Sequence, residues 1–297
     1  MPRSLTQLPG YEIVKRIGRG AGAVIYEARQ AGTRRRVAVK HVVRRGPQDQ
    51  RFIEQAEIEY EVGHQLDHPS LRKCYDIVRV RRWLKTHELF LIMELVEGER
   101  LDNRYQDRRP QDIEPVVRLF IQVAEGLQAL HKHGFIHADI KPNNILLTPA
   151  GGVKIIDFGQ SCPVGHTKTR IQGTPDYIAP EQVALAPLDH RTDVYNFGAT
   201  MYWVLTGKAF STILPAAPAG SRKHEIEARR GNDPPHEVNP DVPLPFSRLI
   251  MECCASERAR RPADMGKVIS RLETILMLMQ RRGQAQDQAT RRPAAGQ

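Results

Sequence analysis

The sequence predicts an α+β fold, in which roughly the first hundred residues form a small antiparallel sheet and the rest is mainly helical. Three observations carry this. Strand-like runs divided by glycine and polar turns fill the stretch from Tyr11 to Leu95. One helical pattern, Asp49 to Leu66, interrupts them. From Asp112 onward the apolar residues recur at helical spacing, broken by segments rich in proline and glycine.

In order, Tyr11–Ile17 reads as a strand, Gly18-Arg19-Gly20-Ala21-Gly22-Ala23 as a glycine turn, and Val24–Ala28 as the strand that leaves it. Glycines let backbone N–H groups approach phosphate oxygens where a side chain would clash, although hairpins also use glycine for geometry alone. Arg36–Lys40 is a third strand. The helix over Asp49–Leu66 gathers Phe52, Ile53, Ala56 and Val62 near one face. Tyr75–Val80 and Leu89–Leu95 complete the sheet, and Gly98 closes this part.

Asp112–His133 is a long amphipathic helix whose stripe of Val116, Val117, Phe120, Val123, Leu127 and Leu130 is core. His131 and His133 are helix-end residues, since nothing at metal spacing accompanies them. Breaker-rich stretches at Pro215–Gly220 and Pro234–Pro245 separate short helices, and Val268–Met279 is the last periodic segment. From Arg281 onward no apolar period remains, which predicts a disordered basic tail.

A chain of 297 residues with 40% hydrophobic and 26% charged residues has the composition of a soluble globular protein. No apolar run approaches the roughly eighteen residues that a membrane span needs, and the first residues lack a signal-peptide core. Cys74, Cys162, Cys253 and Cys254 show no metal-ligand spacing, so buried free thiols in a reducing cytoplasm are expected. The net charge of +10 comes largely from scattered arginine pairs without an aromatic platform. A solvated surface is favoured, and no nucleic-acid partner is expected.

The chemistry lies in His137-Ala138-Asp139-Ile140-Lys141-Pro142-Asn143-Asn144, which sets an acid, a cation and an amide just ahead of Ile145-Leu146-Leu147. Asp157-Phe158-Gly159 follows the β-like run Val153–Ile156. A base, a charge-neutralising lysine and two oxygen-bearing groups suited to Mg²⁺ fit phosphoryl transfer, which depends on positioning and electrostatics. These residues resemble the catalytic loop and metal-binding turn of eukaryotic-type (Hanks-type) protein serine/threonine kinases, in the style of bacterial members. One letter departs: Ala138 stands where that family usually has arginine.

The resemblance covers roughly residues 10 to 277, with the motifs in family order. It implies a bilobal kinase fold with an N-terminal extension (1–9), a small lobe (10–98) and a helical large lobe (99–280) ahead of the tail (281–297). It makes Asp139 the base that accepts or orients the substrate proton, and Lys141 the group that steadies the phosphate. It implies ATP with Mg²⁺ or Mn²⁺ held by Asn144 and Asp157, and an ion pair of Lys40 with Glu59 that orders the phosphates. Ile17, Gly18, Gly20 and Gly22 would cover the nucleotide; Ile25, Ala38 and Leu146 would sandwich adenine. Met93 would stand as gatekeeper, with the Glu94 and Val96 backbones as hinge.

Lysine two residues after the aspartate, and Gly173–Glu181, match the serine/threonine form, with Thr174 bonding back to Asp139. Asp193 would hold the catalytic loop and Arg261 would pair with Glu181. The partners implied are proteins with Ser or Thr acceptors. Ala23 replaces a glycine, and Gly63 replaces an apolar residue, which predicts a loosely docked helix. With Ala138, these departures motivate an alternative: a pseudokinase-like ATP-binding scaffold. Lys40, Glu59, Asp139, Lys141, Asn144 and Asp157 are all intact, which favours an active enzyme. Ala138 and Cys162 stand at two positions where the family often binds a loop phosphate, so loop phosphorylation is not expected to be obligatory.

Overall fold

The computed structural model describes residues 8–20, 22–82, 85–106, 109–211 and 232–290. Its first sheet comprises β1 (Tyr11–Gly20), β2 (Ala23–Gln30), β3 (Arg36–Val43), β4 (Cys74–Arg82) and β5 (Lys85–Glu94). The order is β1-β2-β3-β5-β4, antiparallel throughout. Period-two alternation divides the apolar residues between two faces. Val42, Leu89 and Leu91 meet Ile53 and Ala56 of helix α1 (Gln50–Gln65) on one face. Val37, Val39, Phe90 and Ile92 pack on the other, together with Leu8. Leu8, 5% exposed, therefore belongs to the small lobe and not to the extension assigned from sequence.

A 3₁₀ turn at Pro47–Asp49 leads into α1, and Asp49 Oδ2 accepts from the amides of Arg45 (2.8 Å) and Gly46 (3.0 Å). The loose docking predicted from Gly63 is not what the packing shows. A Cβ there would lie 2.6 Å from Cys74 Sγ and 3.3 Å from the Phe158 ring. Glycine lets the helix close onto β4.

The large lobe continues with β6 (Glu99–Arg100), α2 (Leu101–Tyr105), α3 (Glu114–Lys132), β7 (Phe135–Ile136), β8 (Ile145–Leu147), β9 (Val153–Ile155) and β10 (Cys162–Pro163). After these come α4 (Pro180–Val183), α5 (His190–Thr206), α6 (Pro235–Val238), α7 (Leu244–Cys253) and α8 (Met265–Thr290). The α3 stripe read from sequence is buried. Helix α5 is buried on nearly every side and forms the centre of this lobe. Asp189 caps it by accepting from the Arg191 amide at 2.8 Å.

Pro235 and Pro245 sit in the first turns of α6 and α7, where a missing N–H costs nothing. The other breaker-rich stretch, Pro215–Gly220, lies outside the described residues. The tail expected to be disordered from residue 281 differs, because α8 runs on to Thr290. Arg, Gln and Ala are good helix formers, and residues 281–285 are exposed, so no apolar period marks this extension. Residues 291–297 lie outside the described residues. All four cysteines are buried free thiols. Among the described residues, no helix is long and apolar enough to cross a membrane.

Candidate active site

The two lobes face each other across a cleft of about 740 Å³. Strand register explains its roof. Alternation puts Ala38 and Lys40 on one face of β3, with Ile25 opposite Lys40 and Met93 opposite Ala38. Ile17, Gly18 and Gly20 extend the roof, Glu94 and Val96 form the back edge, and Leu146 of β8 forms the floor. Of the residues assigned to the nucleotide, Gly22 is the exception. Its φ is +69°, and a Cβ there would lie 2.3 Å from the Phe52 ring of α1, so this glycine serves the turn and the close approach of the helix. Ala23, the neighbour with the wrong letter for the family pattern, lines the cleft in its stead.

At the inner end, Lys40 Nζ donates to Glu59 Oε2 at 2.6 Å and lies 3.6 Å from Asp157 Oδ1. Glu59 is fully buried, whereas the Asp157 side chain is 46% exposed to the cleft. Burial works against the charge on Lys40, but Glu59 and Asp157 overcome it and hold its pKa above the ordinary lysine value. Lys40 in turn lowers the Asp157 carboxyl to about 2, against the opposing effect of burial. Phe158 is buried beside Val62 and Leu66 in the main core, which leaves Asp157 facing the cleft.

Across the cleft, Asp139 is held from three sides. Its Oδ1 accepts from Thr174 Oγ1 (3.0 Å), and its Oδ2 from Lys141 Nζ (2.7 Å) and Asn144 Nδ2 (3.3 Å). Lys141 Nζ also donates to Thr174 Oγ1 at 2.7 Å, and Asn144 Nδ2 to the Asp139 carbonyl at 2.9 Å. The Asn144 amide nitrogen is thus engaged within the loop, leaving its oxygen for a cation.

Main-chain bonds set this loop. Asp193 accepts from the amides of His137 and Ala138, both at 2.8 Å, and from His131 Nε2, also at 2.8 Å. Burial pushes the Asp193 carboxyl up, but the His131 contact and the His137 amide hold it below the usual range. Ala138 takes φ +61° under this constraint. The predicted pair of Arg261 and Glu181 is also present, as a bidentate contact at 2.7 and 2.9 Å.

The segment after Gly159 is anchored to the catalytic loop by strand pairing and apolar contact. Cys162 and Pro163 pair with Ile136 and Phe135, and Ile136, Ala138, Cys162 and Leu188 form a small buried cluster. Burial pushes the Cys162 thiol up to about 11. Gly165 N donates to Leu188 O (2.8 Å) and Leu188 N to His166 O (3.0 Å).

Phe52, Gln55, Arg72 and Arg170 also line the cleft and were not foreseen. No sequence signal marks Arg72; the positions of Phe52 and Gln55 on the inward side of α1 could have flagged them. Among the described residues, no cluster of three or more His, Cys, Asp or Glu stands ready for a metal. Asp157 and Asn144 offer hard oxygen donors, which suit Mg²⁺ when substrate phosphates supply further oxygens.

Residues 11–271 match the family described as the protein kinase domain. The chain is 28% identical over 270 residues to a probable serine/threonine-protein kinase of Clostridium acetobutylicum, covering 89% of this chain and 40% of that protein. It is 32% identical over 255 residues to the serine/threonine-protein kinase PknA of Mycobacterium tuberculosis, covering 84% and 57%. It is also 32% identical over 258 residues to PknL of the same organism, covering 86% and 61%. The chain thus spans 40 to 61% of the length of these relatives. With the family match extending over both lobes and the whole cleft, the chain belongs to the protein kinase domain family.

Proposed function

We propose that this chain transfers the γ-phosphate of ATP to Ser or Thr hydroxyls of protein substrates. The observation that carries this is the convergence of Asp139, Lys141, Asn144 and Thr174 on one side of the cleft with Lys40, Glu59 and Asp157 on the other. A carboxylate offers about four lone-pair sites, and three donors already hold Asp139. One site is left for the substrate hydroxyl, whose proton Asp139 orients and receives. An ammonium has about three N–H donors; Lys141 spends two on Asp139 and Thr174, which leaves one for the transferred phosphate. Lys40, fixed by Glu59, binds the phosphates that remain on the leaving group. A divalent cation, when bound by Asp157 and the Asn144 oxygen, neutralises charge on the phosphates.

The alternative of an idle scaffold rested on Ala23, Gly63 and Ala138. None of these removes a polar group from the cleft, and the relatives are named kinases. The test is phosphotransfer from labelled ATP to a generic basic protein. Asp139→Asn is expected to lower the rate at least about a hundredfold. Equal labelling by wild type and the variant would reject the proposal.

Loop phosphorylation is expected to be dispensable for this activity. The segment after Gly159 is tied down by strand pairing and by the cluster around Cys162, and Ala138 supplies no donor for a phosphate. Thr167 and Thr169 are exposed beside Lys168, whose Nζ donates to Gln160 O at 2.8 Å. A Thr167→Ala, Thr169→Ala variant should match dephosphorylated wild type on a peptide within about threefold, since a charge-assisted bond worth roughly 1.5–3 kcal/mol finds no anchor on Ala138. A hundredfold loss in the variant alone would overturn this.

A further inference from the structure

Glu59 carries two cations, and the family pattern accounts for only one of them. While Lys40 takes Oε2, Arg72 Nη2 donates to Oε1. Arg72 lies in the turn before β4, where its backbone is fixed by N–H donation to Ile155 O at 3.0 Å. Its side chain is 11% exposed and lines the cleft. Without it, Oε1 of a fully buried carboxylate would have no side-chain donor among the described residues.

Two further features show that this arginine does more than fill space. Its Nε is buried with no hydrogen-bond partner among the described residues, a liability that an apolar side chain would avoid. In addition, α1 closes tightly onto β4 here through Gly63 and Cys74. The contact between Arg72 and Glu59 therefore sits beside a close-packed seam of helix and strand, where a shift of Glu59 is a shift of α1.

We infer that Arg72 is a positioning residue: a second cation, beside Lys40, that fixes Glu59 and keeps α1 docked on the cleft before any nucleotide arrives. The inference rests on the reading of the cleft as a phosphotransfer site, because its catalytic consequence passes through Glu59 and Lys40. Arg72 acts on one carboxylate oxygen and Lys40 on the other, so Lys40 keeps a donor for phosphate that would otherwise be drawn to Oε1.

The test uses Arg72→Met and Arg72→Lys, each in wild-type and Glu59→Gln backgrounds. Arg72→Met is expected to lower kcat at least about tenfold with little change in KM for the peptide, while Arg72→Lys recovers most of the rate. In the Glu59→Gln background the same Arg72→Met change should cost less than about twofold, because the carboxylate it acts through is gone. A tenfold loss that persists in that background, or a wild-type rate in Arg72→Met, overturns the inference. Should Arg72→Met melt far below wild type, Arg72→Lys decides: a tenfold loss there at normal melting temperature is equally fatal. Amide hydrogen exchange of α1 in the nucleotide-free protein gives a readout without turnover. Faster exchange in Arg72→Met is expected, and unchanged protection overturns the inference. If wild type transfers no phosphate, the exchange result still judges Arg72 while the functional reading fails on its own assay.

Discussion

Asp157→Asn is expected to abolish Mg²⁺-dependent phosphotransfer, by roughly a thousandfold or more, while the protein stays folded. Asparagine is chosen because Asp157 has φ +66°, a conformation that Asn tolerates better than most residues. The substitution keeps the shape and removes the charge that would bind a cation. Lys40 loses a negative charge at 3.6 Å but keeps Glu59 at 2.6 Å, so the inner pair survives. Because its pKa is held near 2 by Lys40, below the ordinary value of about 3.9, Asp157 stays ionised throughout the working range. Its contribution to stability is present above about pH 4 and is lost only as pH falls through 2. Labelled-ATP turnover at saturating Mg²⁺, beside a thermal melt, reads both effects. A rate within about tenfold of wild type would remove Asp157 from the proposed cation site.

Arg261→Met should have the largest effect on stability. The Arg261 side chain is fully buried, grips both oxygens of Glu181, and donates to the carbonyls of Ala255 (2.7 Å), Arg191 (2.9 Å) and Ser256 (3.1 Å). Its guanidinium also lies 4.8 Å from the Tyr195 ring centroid. Removing one partner leaves a buried carboxylate with, among the described residues, only the Thr192 hydroxyl, at 2.9 Å, as a side-chain donor. Such losses cost about 3–5 kcal/mol, or roughly 5–10 °C of melting temperature for a domain of this size. Adding Glu181→Leu should recover part of the loss by removing the stranded charge. A shift of less than about 2 °C in the single variant would show that the pair is not integral to the fold.

Much of the site was legible because its letters are local. His137 to Asn144 fold back on themselves, and Asp157 follows a short hairpin, so sequence spacing translates into spatial spacing. The five strands were legible for a similar reason, as short apolar and β-branched runs bounded by glycine and polar turns, Val37–Val42 and Leu89–Met93 among them. What was missed depends on contacts between segments. Gly22 matched a letter of the glycine turn, but only the position of Phe52, thirty residues on, shows what it accommodates. Gly63 read as a defect because its neighbours Cys74 and Phe158 come from other elements. Arg72 looks like any surface arginine until Glu59 is placed beside it. The extension of α8 escaped because propensity without an apolar face leaves no periodic trace.

The grip of Asp193 on two successive main-chain amides has a consequence for how such a domain can diversify. The geometry around Asp139 is specified by N–H groups that every residue except proline possesses, so the side chain at 138 is not needed to shape the loop. Loop geometry and the side chain at 138 are therefore specified independently. A substitution at 138 can change what the loop offers to a neighbouring group without rewriting the geometry around Asp139.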